Sequence, residues 1–288
     1  MMAAAAVAAA PPQTRATRGA IVIDDVVKIY DPDGAAVMAV DHCSLDIQAG
    51  EICMIVGPSG CGKTTLLNAI AGFHEITSGR ILLDGKVLCS SEKPKADPGS
   101  DRIVVFQNGA LFPWKTNLDN VAFGPLMQGQ LNKSAALEKA RGMMADAGLA
   151  GVEHNFPGEV SSGMRRRVEI VRALMNEPKV LLLDEPYRAL DSLTKSVMHE
   201  ALLEIYYKNR VTIFFITHDL EEAIFLGHKV AIMTTRPCKP KKILEVDIPH
   251  PRDYSVLTSK RFRELMEETN DAVHEEALKA FAAGEKEG

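Results

Sequence analysis

The chain of 288 residues is long enough to bury a sizeable core in one large domain, or in one domain with an appendage. Apolar residues make up 46% of it and charged residues 25%, the ordinary mixture of a soluble globular protein. The formal net charge of −5 argues against a general nucleic-acid binder, since such proteins are normally basic, and no nucleic-acid partner is expected. The longest apolar runs, such as VTIFFI at 211–216, are too short to cross a bilayer, so any membrane role would need a partner.

The cysteines and the first residues bear on the compartment. Five scattered cysteines are an odd number without C-x-x-C spacing, which favours free thiols in a reducing compartment over disulfides or a zinc site. Residues 1–20 hold an alanine run with no basic residue ahead of it, so a disordered leader fits better than a secretory signal. The sequence therefore predicts a cytoplasmic protein.

Strand-like and helical segments alternate along the chain. AIVIDDVVKIY predicts a first strand, and CSLDIQAGEICMIVG predicts two more. Later strands are predicted at RILLDG, DRIVVFQ, KVLLLDE, VTIFFIT and KVAIMTT. Helical patterns lie between them, at 63–72, 133–147, 164–176 and 193–208. This alternation predicts an α/β fold with a largely parallel sheet.

Changes in pattern suggest how the chain is divided. Strand signals stop between residues 108 and 163, which predicts an inserted helical subdomain within a main domain at 21–237. From 238 to 288 the composition changes, which predicts a C-terminal extension that ends in an amphipathic helix. The apolar positions expected on one face of that helix are Phe262, Leu265, Met266, Val273, Leu278 and Phe281.

Residues 57–65, GPSGCGKTT, match the phosphate-loop pattern G-x-x-x-x-G-K-[ST]. The loop follows an apolar strand and precedes a helix, as phosphate binding requires. Its glycines let N–H groups turn toward phosphate oxygens, Lys63 would reach the terminal phosphates, and the Thr64 hydroxyl would bind Mg²⁺. A chance glycine turn is the weaker alternative. The predicted nucleotide-binding residues here are Gly57, Pro58, Ser59, Gly60, Cys61, Gly62, Lys63, Thr64 and Thr65.

A buried strand, KVLLLDE, ends in two acids, Asp184 and Glu185. Asp184 would hold Mg²⁺, and Glu185 would polarise the water that attacks the terminal phosphate. The alternative is an ordinary strand end capped by acids. The phosphate loop upstream favours the catalytic interpretation.

Other segments single out one family among the nucleotide hydrolases. They are VVFQNGALFPW, VSSGMRRR just ahead of the acidic strand, RALD after it, and FITHDLEEA. With the two motifs above, the chain resembles the nucleotide-binding subunit of ATP-binding cassette (ABC) transporters over residues 21–235. The resemblance implies ATP and Mg²⁺ as cofactors. The fold it implies is an α/β P-loop nucleotide hydrolase with an inserted helical subdomain and an N-terminal β subdomain.

The resemblance also implies roles for individual residues. Tyr30 would stack on adenine, with a surface tyrosine at a strand end as the alternative. Gln107 would sense Mg²⁺ and the γ-phosphate, and His218 would contact the γ-phosphate. The catalytic set would be Lys63, Gln107, Glu185 and His218, and the metal ligands would be Thr64, Gln107 and Asp184. The signature loop and the loop that communicates across the dimer would add Ser161, Ser162, Gly163 and Asp191.

The implied mechanism needs partners. In the family, two cassettes meet head to tail with two ATP molecules between them, and their closure moves attached membrane subunits. A single cassette without a membrane span is similar to the ATPase subunit of bacterial importers. We therefore expect a second copy or a paralogue, an integral-membrane permease and, indirectly, a substrate-binding protein. The expected location is peripheral, at the cytoplasmic face of the inner membrane.

Two further segments, LFPWKTNLDNV and RPCKPKKILEVDIPHPRD, resemble the nitrate/sulfonate/taurine type of importer. The resemblance implies that Phe112, Pro113 and Trp114 line the groove that grips the permease. The alternative is that these residues only pack the helical subdomain. The expected function is an ATPase that powers uptake of a small solute through a separate permease, with nitrate, a sulfonate or a related anion as the candidate substrate.

The signature segment departs from the family pattern L-S-G-G-Q/M at Ser162, where glycine is usual. If that position requires positive φ, serine costs about 1–2 kcal/mol; in an ordinary conformation at a helix start, serine is a favoured cap. Further departures are Arg166 for glutamine, Glu169 and Val171 for alanine, and Arg188 for a small residue. The arginines of this helix are expected on a solvated face or at the dimer surface: Arg165, Arg166, Arg167 and Arg172.

These departures leave alternative functions open. The cassette could pair with a more standard partner, or be a hydrolysis-impaired subunit that acts as the regulatory half of a heterodimer. The retained Glu185 and His218 argue against lost turnover. A third class, a family member working on ribosomes or DNA, usually carries paired cassettes or long coiled coils, and the sequence predicts neither.

Overall fold

Two sheets and seven α-helices organise the described part of the chain, which a computed structural model covers at residues 17–31, 33–188 and 190–282. The strands are β1 (Ile21–Tyr30), β2 (Val37–Ile47), β3 (Ile52–Val56), β4 (Ser78–Leu83), β5 (Lys86–Ser90), β6 (Arg102–Val105), β7 (Val180–Asp184), β8 (Thr212–Ile216), β9 (Lys229–Met233) and β10 (Pro240–Glu245). The helices are α1 (Lys63–Ala71), α2 (Asn117–Met127), α3 (Lys133–Asp146), α4 (Ser162–Leu174), α5 (Ser192–Asn209), α6 (Leu220–Leu226) and α7 (Lys260–Ala282). Short 3-10 helices lie at Pro157–Glu159 and Tyr254–Thr258.

The larger sheet has the strand order β10-β9-β3-β8-β7-β6, and every neighbouring pair except β10–β9 is parallel. Every residue of β3, β8 and β9 is buried, because packing covers both faces of the sheet. In β3, Ile52 and Met54 pack into one apolar cluster, whereas Cys53 and Ile55 pack into another. The predicted α/β fold with a largely parallel sheet is confirmed.

The smaller sheet is antiparallel, with the order β2-β1-β4-β5. Its buried side chains, such as Ile21 and Ile81, share a cluster with Leu66 and Ile70 of α1 and with Ile55 of β3. Helix α1 therefore packs against both sheets. Because the phosphate-loop sequence leads directly into α1, this packing fixes the helix that follows the loop.

Helices occupy the region between β6 and β7. Helices α2 and α3 pack onto α4 through buried side chains that include Val121, Met144 and Val168. No strand lies between residues 106 and 179, all of which belong to the described part of the chain. The expected helical subdomain at 108–163 coincides with this region, and the division of the chain into domains remains a prediction.

The two ends of the chain differ from expectation in detail. Residues 1–16 of the predicted leader lie outside the described residues, but the N–H groups of Gly19 and Ala20 donate to Asp84 Oδ1 at 2.6 and 3.0 Å. Those two residues therefore do not belong to a disordered leader. At the other end, the predicted apolar face of α7 is wrong at its last positions: Leu278 is 56% exposed and Phe281 is 83% exposed.

One buried arginine ties the C-terminal segment to the sheet domain. The Arg252 side chain donates to the carbonyl oxygens of Ile224, Phe225 and Gly227, at the end of α6, over 2.8–3.0 Å. It also donates to the carbonyls of two residues after β10, Val246 and Ile248. The last carbonyl groups of a helix have no hydrogen-bond donor within the helix. Arg252 supplies donors to these carbonyl groups at the end of α6. Burial lowers the pKa of Arg252 to about 10, which leaves the side chain charged at neutral pH.

None of the helices in the described ranges is long and apolar enough to span a membrane.

We expect Arg252→Met to lower the free energy of unfolding by about 3 kcal/mol or more, because it leaves several buried carbonyls without a donor. Urea unfolding followed by circular dichroism measures the loss. Arg263→Met is the matched control, since Arg263 is exposed on α7 and should change stability by less than about 0.5 kcal/mol. Equal effects of the two substitutions would contradict this account of Arg252.

Candidate functional site

The carboxyl ends of four parallel strands meet at one edge of the larger sheet. Strands β3, β8, β7 and β6 follow one another in the sheet, and Val105 pairs with Leu183 while Asp184 pairs with Ile216. The loops that leave this edge carry the predicted site residues within two positions of the strand ends: Gly57, Gln107, Glu185 and His218. Ligands of open α/β sheets bind outside the carboxyl ends of the strands. The structure therefore brings the candidate residues of four loops to one edge.

The phosphate-loop segment connects β3 to α1. Gly60 and Gly62 have φ of 74° and 123°, which disfavour any side chain. A β-carbon on Gly62 would also lie 2.3 Å from the carbonyl oxygen of Ala39, so the close packing of the loop requires glycine. Within the described ranges, no hydrogen bond uses the N–H groups of residues 59–62. These groups and the start of α1 form a cradle that suits phosphate oxygens.

Lys63 is buried at the opening of this cradle. Its Nζ donates to the carbonyl oxygens of Gly57 and Pro58 at 2.8 and 2.7 Å, and it lies 3.8 Å from Cys61 Sγ. A hydrogen bond from the Cys238 thiol and the charge of Lys63 lower the pKa of Cys61 to about 7, although burial acts in the opposite direction. The positive charge of Lys63 is thus held beside the unpaired N–H groups.

Asp184 stands across from Thr64. The Thr64 hydroxyl donates to Asp184 Oδ1 at 3.2 Å. Burial raises the pKa of Asp184, and the charge of Glu185 raises it further. A partly buried carboxylate beside a hydroxyl gives hard oxygen donors, the type that Mg²⁺ prefers. The donor set therefore fits the ion that the sequence implies.

Glu185 and His218 are also brought together. Glu185 has a φ of 44°, and its N–H donates to the carbonyl of Ile216 at 3.0 Å. Its side chain is 12% exposed, with Oε2 at 3.5 Å from His218 Nδ1 and 3.3 Å from Arg188 Nη1. A left-handed backbone conformation is strained for a residue other than glycine. The hydrogen bond from the Glu185 N–H to Ile216 helps to hold that conformation. The carboxylate is thus fixed between a histidine and an arginine.

Tyr30 lies beside the same loop. Its hydroxyl donates to Thr65 Oγ1 at 3.3 Å and contacts His74 Nδ1 at 3.0 Å. The ammonium of Lys28 lies 4.9 Å from the centre of the Tyr30 ring. The ring therefore stands next to the last residue of the phosphate loop, a position that suits stacking on a nucleotide base.

The signature residues lie elsewhere, beside α5. Ser161 caps α4, its hydroxyl accepting from the N–H of Met164 at 3.3 Å. A β-carbon on Gly163 would meet Thr194 at 3.2 Å, and Asp191 caps α5 through the N–H and hydroxyl of the same threonine. No hydrogen bond in the described part of the chain joins Ser161, Ser162 or Gly163 to the phosphate loop. Ala189, in the segment before Asp191, lies outside the described residues.

Ser162 is the first residue of α4 and does not have a positive φ. The capping role belongs to Ser161, and Ser162 occupies ordinary helical conformation. Of the two alternatives that the sequence left open, backbone strain is therefore excluded. A serine in place of glycine is compatible with the start of this helix.

The arginines of α4 do not form a solvated face, so that alternative was wrong, and the expected place at the dimer surface remains a prediction. Each makes hydrogen bonds to carbonyl oxygens within the chain, at distances of 2.6–3.4 Å. The partners of Arg165 are Pro157 and Val160, those of Arg166 are Phe106 and Gln107, those of Arg167 are Ala147 and Gly148, and that of Arg172 is Ala110. The helix thereby holds the loops around it.

Sequence reasoning also missed Arg236, which follows β9. Its Nη2 and Nε donate to the carbonyl of Gly60 at 2.8 and 3.2 Å. The preceding residue, Thr235, donates its N–H to Glu276 of α7 at 2.9 Å. A basic residue after a strand that leads away from the motifs gives no local signal of this contact.

The segment after Gln107 divides into a packed and an exposed part. Phe112 packs against Phe123 of α2, with ring centres 4.8 Å apart, and under the guanidinium of Arg172. Trp114 is 71% exposed, with its ring 5.5 Å from that of Phe112. Phe112 therefore packs the helical region, whereas Trp114 faces outward, and the expected contact of this segment with the permease remains a prediction. A groove beside them is lined by residues that include Phe106, Ala110, Phe123, Glu169 and Arg172.

Comparison with known proteins decides the family. Residues 40–188 match the sequence profile of the family described as ABC transporter. The chain belongs to the ABC transporter family. It is an ATP-hydrolysing subunit of that family, and the predicted nitrate/sulfonate/taurine type is confirmed by its relatives.

Three proteins illustrate the similarity. An uncharacterised ABC transporter ATP-binding protein of Methanocaldococcus jannaschii is 40% identical over 259 residues, 90% of this chain and 93% of that protein. A nitrate import ATP-binding protein of Synechococcus elongatus is 38% identical over 268 residues, 91% of this chain and 95% of that protein. Among solved structures, a dimeric ATP-binding cassette bound to ADP and phosphate superimposes with a TM-score of 0.68 at 26% identity, covering 80% of this chain and 100% of that one.

We expect Ser162→Gly, which restores the usual family residue, to change the rate of Mg-ATP hydrolysis by less than about threefold. The reason is that no backbone strain exists for glycine to relieve. Steady-state hydrolysis at saturating ATP measures the effect, and Ser91→Gly, at an exposed residue after β5, controls for handling. A tenfold gain would mean that serine does impair this position.

Proposed function

We propose that this ABC ATPase powers the uptake of a small anion through a separate permease. The observation that carries the proposal is the common edge at which the phosphate loop, Asp184, Glu185 and His218 meet beside the groove of the Gln107 loop. Relatives that this chain covers over 85% or more of their length are named for import of nitrate, taurine and aliphatic sulfonates and for transport of bicarbonate. Each of these solutes carries an anionic oxygen group, which defines the substrate class.

The nucleotide would bind along the phosphate loop. The N–H groups of residues 59–62 and the start of α1 would receive phosphate oxygens, and Lys63 would exchange its carbonyl partners for the more negative terminal phosphates. Tyr30 would stack on the adenine. Thr64 and Asp184, together with Gln107, would hold Mg²⁺, which supplies charge neutralisation to the phosphates.

Hydrolysis would depend on the carboxylate of Glu185. Its fixed position lets it accept a hydrogen bond from the attacking water and so orient that water toward the terminal phosphate. His218, within 3.5 Å of the carboxylate, would contact the γ-phosphate and hold both groups in register. Arg188 pairs with the same carboxylate oxygen, so it competes with the water for Glu185.

A second ATPase copy would complete each site. The signature residues Ser161, Ser162 and Gly163 do not reach the phosphate loop of their own chain, and similar cassettes have been solved as dimers. We infer that they face the nucleotide of a partner copy or a paralogue, with Asp191 beside them. The dipole of α4 and its uncapped N–H groups would then point at that nucleotide.

The membrane partner would bind at the groove beside the Gln107 loop. Trp114 presents a large exposed ring beside Phe112, which packs against Phe123, a residue that lines the groove. An exposed aromatic residue next to a groove is a typical anchor for a partner helix. We infer that the protein lies peripherally at the cytoplasmic face of the inner membrane, with a substrate-binding protein acting indirectly through the permease.

We expect hydrolysis of Mg-ATP by the purified chain to rise more steeply than linearly with protein concentration, because two copies form each site. Glu185→Gln should lower the rate at least about a hundredfold while ATP binding persists, since the amide cannot orient the water as a carboxylate does. The matched control is Glu267→Gln, on the exposed face of α7.

Other outcomes have distinct meanings. ATP binding without hydrolysis by the unmodified chain would favour the regulatory half of a heterodimer over the catalytic homodimer. A rate per molecule that is independent of concentration would contradict the shared site.

We expect the complex with its permease, purified from native membranes and reconstituted in liposomes with its binding protein, to hydrolyse ATP faster when a suitable anion is supplied. Nitrate, taurine, bicarbonate and an alkane sulfonate are compared with an uncharged sugar. Trp114→Ala should weaken permease binding about thirtyfold, as loss of an aromatic anchor does. Phe281→Ala, which removes an exposed aromatic at the far end of α7, is the control. Stimulation by the sugar alone would overturn the anion proposal, and unchanged binding by Trp114→Ala would overturn the docking site.

A further inference from the structure

Arg166 and Glu169, one turn apart on α4, form an ion pair that faces the Gln107 loop. Arg166 Nη1 lies 2.6 Å from Glu169 Oε2, and each side chain is only 11% exposed. The family pattern has glutamine and alanine at these two positions, so both halves of the pair are departures from it. An ion pair that is this enclosed depends on both partners, because removing one leaves a buried charge.

The pair continues into the backbone of the loop. Arg166 Nη1 donates to the carbonyl of Phe106 at 2.7 Å, and Nη2 donates to the carbonyl of Gln107 at 2.8 Å. Glu169 Oε1 accepts the N–H of Ala110 at 3.1 Å. These hydrogen bonds hold the backbone of the loop at three residues: Phe106, Gln107 and Ala110.

The shape of the loop allows this contact. Gly109 has a φ of 70°, and a β-carbon there would lie 2.6 Å from Glu169 Oε1. A glycine thus makes room for the carboxylate against the loop. Burial raises the pKa of Glu169, and the charge of Arg166 opposes this rise.

We propose that Arg166 and Glu169 are positioning residues that tie the Gln107 loop to the signature helix α4. The proposal rests on the proposed function, in which Gln107 acts on the Mg²⁺ and γ-phosphate of its own copy. The start of α4 faces the nucleotide of the partner copy, whereas Gln107 faces the nucleotide of its own. The ion pair therefore joins the two ATP sites of a dimer through a single helical turn.

The direct test is amide hydrogen exchange of the full-length chain, read at Ala110. Glu169→Ala removes the acceptor, so the Ala110 amide should exchange at least about tenfold faster, with no comparable change in β7. Arg141→Ala, an exposed side chain of α3, is the control. An Ala110 amide that exchanges at the same rate in Glu169→Ala would overturn the tie.

A second test measures the Mg²⁺ concentration that gives half-maximal hydrolysis. Arg166→Gln leaves Glu169 buried without its partner, and the half-maximal Mg²⁺ concentration should rise at least about fivefold. The double variant Arg166→Gln with Glu169→Ala removes both halves of the tie, so its half-maximal Mg²⁺ concentration should rise no further than that of the more affected single variant, Arg166→Gln or Glu169→Ala. ATP binding without Mg²⁺ should remain unchanged in all three. Effects of the two single substitutions that multiply in full in the double variant would overturn the proposal that the two residues act as a pair.

Gln107→Ala separates this proposal from the proposed function. In that background, Arg166→Gln should raise the Mg²⁺ requirement no further, because the pair acts through Gln107; a further rise would overturn the positioning role. If Gln107→Ala by itself leaves the Mg²⁺ requirement unchanged, the proposed role of Gln107 fails, while hydrogen exchange at Ala110 still decides whether the tie exists. Arg166→Lys keeps the charge but not the two-pronged geometry, and it should not restore the unmodified requirement.

Discussion

The burial of the central strands on both faces constrains the whole molecule. Strands β3 and β8 hold no exposed residue, so polar groups have no place along their length and are found where the strands end. A parallel arrangement aligns those ends at one edge. Gly57 and His218 are far apart in sequence, but each follows a strand that ends at this edge. Their loops therefore lie close together without any need for the two residues to touch. The loops that carry them are then held by a second set of interactions, most of them from charged side chains to backbone carbonyls.

The second set of interactions uses arginine repeatedly. Arg252 supports the end of α6, Arg236 holds the phosphate loop, and Arg166 holds the segment around Gln107. A planar guanidinium offers several donors in fixed directions, so one side chain can satisfy two or three carbonyls that no strand or helix reaches. The loops of the site are therefore ordered by long side chains that come from helices and strand ends.

The sequence predicted the motifs far better than the contacts between them. The phosphate loop and the acidic strand are local patterns, so Lys63 and Asp184 were readable from a few neighbours. Helix α2 was not marked, since Gly124 and Pro125 interrupt its pattern, and α6 is only seven residues long. Strand β5 and the edge strand β10 alternate weakly in polarity. The partners of Arg166 lie 59 and 60 residues away, a distance at which no spacing rule applies, and a charged helix was therefore misread as a solvated one.

The contact between α7 and the segment after β9 links the C-terminal helix to the phosphate loop. Glu276, whose side chain is 2% exposed, accepts the N–H of Thr235, and the next residue grips the carbonyl of Gly60. Two adjacent residues thus separate the C-terminal helix from the loop proposed to hold the phosphates. A molecule that binds α7 and displaces it would act on the nucleotide site through these two residues rather than through the sheet. A change in the packing of α7 would accordingly alter the geometry of the phosphate-loop cradle, and a change in the cradle would alter the packing of α7.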